Sequence, residues 1–362
     1  MNVSREMIFA ERLWRQRLTR PLGADEDYVA LFRLLQPVSP VADTRPGSPP
    51  SLQPRTAFDD RRTADELRAR RAIVKGRFLG GNLGYVLADD LALYANVFRK
   101  PLDHLSPIHE TVLETVEFSG PLTPRQLKEE SGLLNKQIMP ALHRLQRAFL
   151  VYEDQVDDDW ERGWYHFASE WPDVAVSGDR FQAAATEVLL RFLDGHVFAT
   201  FEQLKDWSQL SAKSLKTLIG DMEAAGLIQS QKVKGLGEGW AKADLQLPTA
   251  RAVKPSTFML HRSDYLVRSH QSELKRRFGD GEVLQYLLID GRFQGAVLGH
   301  WRIGPHDVSD ITTELPSAER SRRRDEIVSV VAQKYHPPHH RILRYAGRDM
   351  PKRLQPNDTL SE

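Results

Sequence analysis

The chain contains an internal repeat. Residues 123–151, TPRQLKEESGLLNKQIMPALHRLQRAFLV, align without a gap with residues 200–228, TFEQLKDWSQLSAKSLKTLIGDMEAAGLI. Thr123/Thr200, Gln126/Gln203, Leu127/Leu204, Lys128/Lys205, Ser131/Ser208, Leu133/Leu210, Lys136/Lys213, Ala148/Ala225 and Leu150/Leu227 are identical pairs. Self-similarity at a fixed offset means a duplicated structural unit. Each copy opens on a Thr suited to cap a helix, with Pro124 at the first helical position of copy one. A second helix follows, and Leu127, Leu133, Ile138, Leu142 and Leu145 fall on the buried face of copy one. Leu204, Leu210, Leu215, Ile219 and Met222 take those places in copy two. Each copy then gives two β-rich runs, FLVYEDQV with GWYHFA and GLIQSQKV with EGWAKADL. A further helix precedes each unit, over 107–118 and 181–193. This is the grammar of a winged helix-turn-helix, and the wings argue against an all-helical solenoid.

Outside the repeat the chain reads as helix and turn, then as strand. Helices are expected over 4–20, with Ser4 as cap, and over 25–36. Prolines at 37, 40, 46, 49, 50 and 54 forbid helix in the loop that follows. Residues 63–75 read as a helix, GRFLGGNLGY as a turn, and 89–97 as a short helix. Residues 284–289 and 292–302 flank an Asp-Gly turn and read as a hairpin. A helix over 316–333, a strand over 341–345 and a disordered tail complete the reading. The expected fold is thus α+β: tandem winged helix-turn-helix modules with a C-terminal β-containing domain. Its parts are an N-terminal winged-helix-like module with a proline-rich loop (1–103), winged helices over 104–176 and 177–252, a β-containing domain over 253–348 and a tail over 349–362.

Composition narrows the chemistry. The sequence has no cysteine, which removes disulfides, thiolate metal sites and thiol catalysis. No apolar stretch approaches the roughly 20 residues of a membrane span, and a cytoplasmic location is expected. Net charge is +1, so any polyanion partner must be met by local basic patches. HPPHH at 336–340 lacks a carboxylate or cysteine at ligand spacing, and Gly80-Gly81-Asn82-Leu83-Gly84 lacks the Lys-Ser/Thr of a phosphate loop. No metal and no cofactor are expected.

Basic residues supply the candidate contacts to double-stranded DNA. Arg45 and Arg55 lie in the proline loop, and Arg68, Arg71, Lys75 and Arg77 follow along the 61–77 stripe. On the second helix of copy one the candidates are Lys136, Gln137 and Arg144, beside Asn135 and His143. In copy two they are Lys213 and Lys216, beside Ser214 and Thr217. The acidic EDQVDDDWE wing of copy one repels phosphate, whereas Lys232, Lys234 and Lys242 suit copy two's wing to it.

A helical pair ending in Leu35-Gln36, arginines in the loop beyond it, tandem winged helices and a C-terminal β domain together resemble the AlkZ/YcaQ-like DNA glycosylase family. That family removes alkylated bases and unhooks interstrand crosslinks. The resemblance covers most of the chain in architecture; at its C-terminal end it rests on Asp264 and Leu266, loosely similar to an Asp-x-Leu element. It implies that a Gln-x-Gln or Gln-x-Asp pair positions the attacking water. Gln36 matches the first position as the implied catalytic residue. The second is Val38, which cannot hold a water and departs from the pattern. Gln53, in a second Leu-Gln-Pro, is the substitute on offer. A glycosylase for N7-alkylated or crosslinked bases and a non-catalytic DNA-binding protein on the same scaffold both remain open. RNA binding, the lesion and the oligomeric state are open too.

Overall fold

Local capping sets the first elements of the structure, a computed structural model that describes residues 3–24, 26–40, 48–154, 163–248, 252–279, 281–300, 307–337 and 339–351. The Ser4 hydroxyl accepts the Met7 N–H and opens α1 (Arg5–Arg15). The Asp27 carboxylate does the same for Ala30 at the start of α2 (Tyr28–Leu35). Both helices are shorter than the sequence pattern suggests: α1 starts at the Ser4 cap as expected but ends at Arg15, and α2 runs only from the Asp27 cap to Leu35. α3 (Arg61–Ala69) leads into β1 (Ile73–Phe78), β2 (Asn82–Leu87) and α4 (Leu91–Phe98).

Here the structure corrects the sequence reading. The expected helix over 63–75 ends at Ala69, and the expected glycine turn is the tip of an antiparallel β1–β2 hairpin. Gly81 (φ 90°) sits at that tip, where a Cβ would collide with the Arg147 guanidinium. Val38 adds a third backbone rung, exchanging N–H···O bonds with Tyr85 at 2.9 and 2.8 Å.

Two units of three helices and a two-stranded antiparallel hairpin follow. The first comprises α5 (Pro107–Ser119), α6 (Pro124–Ser131), α7 (Asn135–Arg147), β3 (Val151–Glu153) and β4 (Trp164–His166), with a one-turn α8 (Phe167–Glu170) after it. The second comprises α9 (Phe181–His196), α10 (Phe201–Ser208), α11 (Ala212–Ala224), β5 (Ile228–Val233) and β6 (Gly237–Lys242). The matched residues of the repeat explain the shared start. Thr123 with Gln126, and Thr200 with Gln203, form reciprocal capping boxes at α6 and α10. Leu127, Ile138, Leu142 and Leu145 are buried with Trp164 in a core belonging to the first unit. Leu204, Leu215, Ile219 and Met222 join a larger core that also takes in α2, β1, β2, α4 and α9.

The remainder is one six-stranded sheet in the order β12-β11-β10-β9-β8-β7. Its members are β7 (Thr257–His261), β8 (Val283–Ile289), β9 (Arg292–Gly299), β10 (Val308–Thr313), β11 (Arg344–Tyr345) and β12 (Arg348–Asp349). α12 (Tyr265–Ser269) and α13 (Gln271–Phe278) lie between β7 and β8. The expected long helix over 316–333 is two helices, α14 (Ser317–Arg322) and α15 (Arg324–Ala332), broken at Arg323. The architecture is mixed α and β, with the strands concentrated at the C-terminal end. Among the described residues no helix is long and apolar enough to cross a membrane.

Candidate functional site

Gln36 closes α2 as its C-cap residue and is 1% exposed. Both ends of its side chain are engaged. The amide Nε2 donates to Asp90 Oδ2 at 2.7 Å, and Oε1 accepts the Leu87 N–H at 2.8 Å. Asp90 in turn accepts from Arg191 at 2.8 Å and Arg33 at 3.2 Å. Burial works to raise its pKa, but the hydrogen bonds from Arg191 and Gln36 hold the Asp90 carboxyl below the usual carboxylate range. Both ends are thus engaged in the interior, and the side chain is not among those lining the cavity next to it. The Gln36 side chain ties α2 to the β2–α4 junction and, through Asp90, to α9.

The chain runs from Gln36 into a small cavity of about 40 Å³ lined by Pro37, Val38, Gln53, Arg55, His261 and Asp264, with Ser39, Ser51 and Ser263 as its hydroxyls. That is room for about one water and far too little for a purine. Sequence-distant segments meet here. The turn at Leu52–Arg55 delivers Arg55, which forms a bidentate ion pair with Asp264 at 2.6 and 3.1 Å and also donates to Gln16. Asp264 further accepts the Leu266 N–H as the cap of α12. The Arg268 guanidinium reaches back to the Ser39 hydroxyl at 2.8 Å. His261 meets Ser263 at 2.5 Å, and burial and then the nearby Lys334 push its pKa down to about 4, so the ring is neutral. Gln53 is exposed on the cavity wall, held by a long bond to Phe58 O at 3.4 Å. The sequence singles out Gln36, Val38, Gln53, Arg55 and Asp264; the structure brings all but the Gln36 side chain to one cavity. Asp90, Arg191, His261 and Arg268 carry no local pattern, and only the tertiary fold reveals them.

The basic candidates separate into two sets. Arg45 lies outside the described residues. Arg55 is 2% exposed and spent on Asp264. Arg68 is buried against Asp65, and Arg71 bridges Asp154 and Glu170. Lys75 is buried on β1 with its Nζ 2.8 Å from Glu153, and Arg77 donates to Gln146 and to the Gly81 carbonyl. The 61–77 stripe is therefore not one exposed helix face: its C-terminal half is a strand whose cations point into the seam with the first repeat unit. Gln137 is committed to its own helix start, accepting the Leu134 N–H at 3.0 Å. Lys136 and Arg144 on α7, and Lys213 and Lys216 on α11, are exposed. Lys216 lies over the Phe201 ring at 5.9 Å. Among the described residues no group of His, Asp or Glu is arranged to hold a metal.

A family model described as DNA glycosylase AlkZ-like matches residues 42–327. The solved structure of the Streptomyces sahachiroi DNA glycosylase AlkZ superposes with a TM-score of 0.66 at 17% identity. That match covers 92% of this chain and 97% of the other. No curated protein matches the chain.

Proposed function

Because the chain belongs to the AlkZ-like DNA glycosylase family, we propose that it hydrolyses the N-glycosidic bond of a cationic alkylated base in duplex DNA, at the cavity between the Pro37–Val38 segment and Asp264. The observation that carries this reading is the make-up of that cavity. Among the described residues its one carboxylate is neutralised by a bidentate arginine, its histidine is uncharged, and its other polar groups are the Gln53 amide, serine hydroxyls and the Tyr265 hydroxyl, which is spent on the Phe192 carbonyl. Such groups orient a water but are poor bases. They suit a leaving group that is already positively charged, as an N7-alkylated purine is, because departure then needs little protonation. The cavity has the size of the attacking water, and the base would occupy its mouth.

In this reading the two helix-and-hairpin units act as winged helices. Their second helices, α7 and α11, present Lys136, Arg144, Lys213 and Lys216 to the phosphate backbone. Gln36 acts through position, as the buried post from which the cavity wall hangs, and Gln53 takes the water-holding part.

A second reading rests on a specific observation. The Gln36 amide is consumed by Asp90 and Leu87, and the position two residues on carries valine. On that ground the scaffold recognises DNA without cleaving the glycosidic bond. Duplex oligonucleotides bearing an N7-alkylguanine, scored for strand scission after alkali, separate the two. The glycosylase reading expects excision by the wild type, its loss in Gln53→Ala, and a faster rate in Val38→Gln, which adds an amide to the cavity wall. Duplex binding with no excision by the wild type or by Val38→Gln establishes the second reading.

A further inference from the structure

A second opening, a groove of about 670 Å³, lies between α1, the β5–β6 turn and the edge formed by α12, α13 and β9. We propose that this groove is a phosphate-binding site, with Arg12 as its deep anchor and Arg276 and Arg292 at its rim.

Arg12 is 4% exposed, yet no carboxylate among the described residues pairs with it. Its Nε donates to the His196 carbonyl and one Nη to the Phe198 carbonyl, both at 2.9 Å. The other Nη has no hydrogen-bond partner among the described residues, and the side chain lines the groove. The Nη that meets Phe198 also lies 3.1 Å from His196 Nδ1. A buried guanidinium whose charge is met only by neutral dipoles is costly unless an anion completes it. The surroundings register the unbalanced charge. Burial lowers Arg12 itself to about 10, and burial together with the Arg12 charge keeps His196 and His270 neutral.

The acidic groups of the groove are largely spent elsewhere. Glu273 and Glu314 both pair with Arg277, and Asp206 accepts the Ser272 N–H and hydroxyl at 2.6 Å each. Glu202 is exposed. Arg276 and Arg292 are exposed and have no acidic partner among the described residues. Three arginines around one opening match the several oxygens of a phosphate better than the two of a carboxylate. The phosphate could be a diester of the bound strand, which rests on the DNA-binding reading above, or a free phosphate or nucleotide, which does not.

The experiment is the 31P linewidth of inorganic phosphate titrated with the full chain at constant ionic strength. The expected result is saturable broadening, with affinity at least tenfold weaker in Arg276→Gln/Arg292→Gln and no broadening with Arg12→Gln. If Arg12→Gln does not fold, the exposed rim variant decides alone. Displacement of phosphate by a short duplex assigns the site to nucleic-acid backbone. Displacement by a nucleoside monophosphate but not by duplex assigns it to a free nucleotide. Lys213→Glu/Lys216→Glu keeps the phosphate signal even if it abolishes duplex binding, so failure of the DNA reading is seen separately. Absence of saturable broadening in the wild type, or an unchanged affinity in the rim variant, overturns the proposal.

Discussion

Replacing Gln36 by alanine tests whether this residue is a post or a reactive group. The substitution removes a donor to Asp90 and the sole acceptor shown for the Leu87 N–H, both in the interior. An orphaned buried backbone donor costs about 1–3 kcal/mol. The lost bond to an ionised carboxylate adds about 1–2 kcal/mol, moderated because Arg191 and Arg33 continue to hold Asp90. The sum, about 2–5 kcal/mol, is a large share of the roughly 5–15 kcal/mol that holds a folded chain together. Urea unfolding followed in parallel by tryptophan fluorescence and far-ultraviolet circular dichroism reads it as a lower midpoint. Two probes are needed because a chain of several units need not unfold in one step. A residue whose amide faced the cavity for catalysis alone would give the opposite pattern, full stability with lost activity. A Gln36→Ala midpoint within about 0.5 kcal/mol of the wild type refutes the reasoning, since surface substitutions fall in that range.

Two further outcomes follow from the structure. Burial foremost, aided by Arg12 for His196 and His270 and by Lys334 for His261, depresses all three histidines, the last two to about 4 against 6.5 in an unfolded chain. The unfolded state therefore takes these protons first. Stability is complete above about pH 7 and falls as pH drops from 6.5 toward 4, by ~1.4 kcal/mol per pH unit for each ring; a urea midpoint that stays flat from pH 7.5 to 5 contradicts it. Lys213→Glu with Lys216→Glu should weaken duplex binding about tenfold and flatten its salt dependence without moving the melting temperature, because both side chains are exposed; unchanged binding isotherms show that α11 faces away from the duplex.

Legibility in the sequence followed the range of the interactions. The repeat units could be read because their signals are local: Thr123 and Gln126 are three residues apart, as are Thr200 and Gln203, and each pair makes its own capping box. The β8–β9 hairpin could be read for the same reason, from an Asp-Gly between two apolar runs. The β1–β2 hairpin could not, because Lys75 and Arg77 give its first strand the look of a charged helix. Their partners, Glu153 and Gln146, belong to the first repeat unit, and nothing near Lys75 in sequence announces them. The cavity was half legible. Gln36, Val38 and Asp264 stand out as letters, but Arg55 finds Asp264 across 209 residues, and its guanidinium reads as a phosphate contact until that partner is in view.

That long-range pairing bears on what the cavity can do. One wall is fixed by the Gln36–Asp90–Arg191 chain, which reaches α9, and the other by Arg55–Asp264, which reaches α12. Between them Val38 is held by two backbone bonds to Tyr85, so the ladder does not depend on its side chain. The Val38 side chain is itself buried in the main core, so a polar group there must find its partner in the cavity, whereas position 36 has been given over to holding one wall. Gln53 is the complementary case, exposed on the cavity wall and bound only by a long contact to Phe58. A water in the cavity can meet the Gln53 amide without breaking a strong bond, whereas the Gln36 amide is buried away from the cavity lining and bonded at both ends. That difference in engagement, a buried and bonded Gln36 against an exposed Gln53, is the ground on which the proposed water-holding role is given to Gln53.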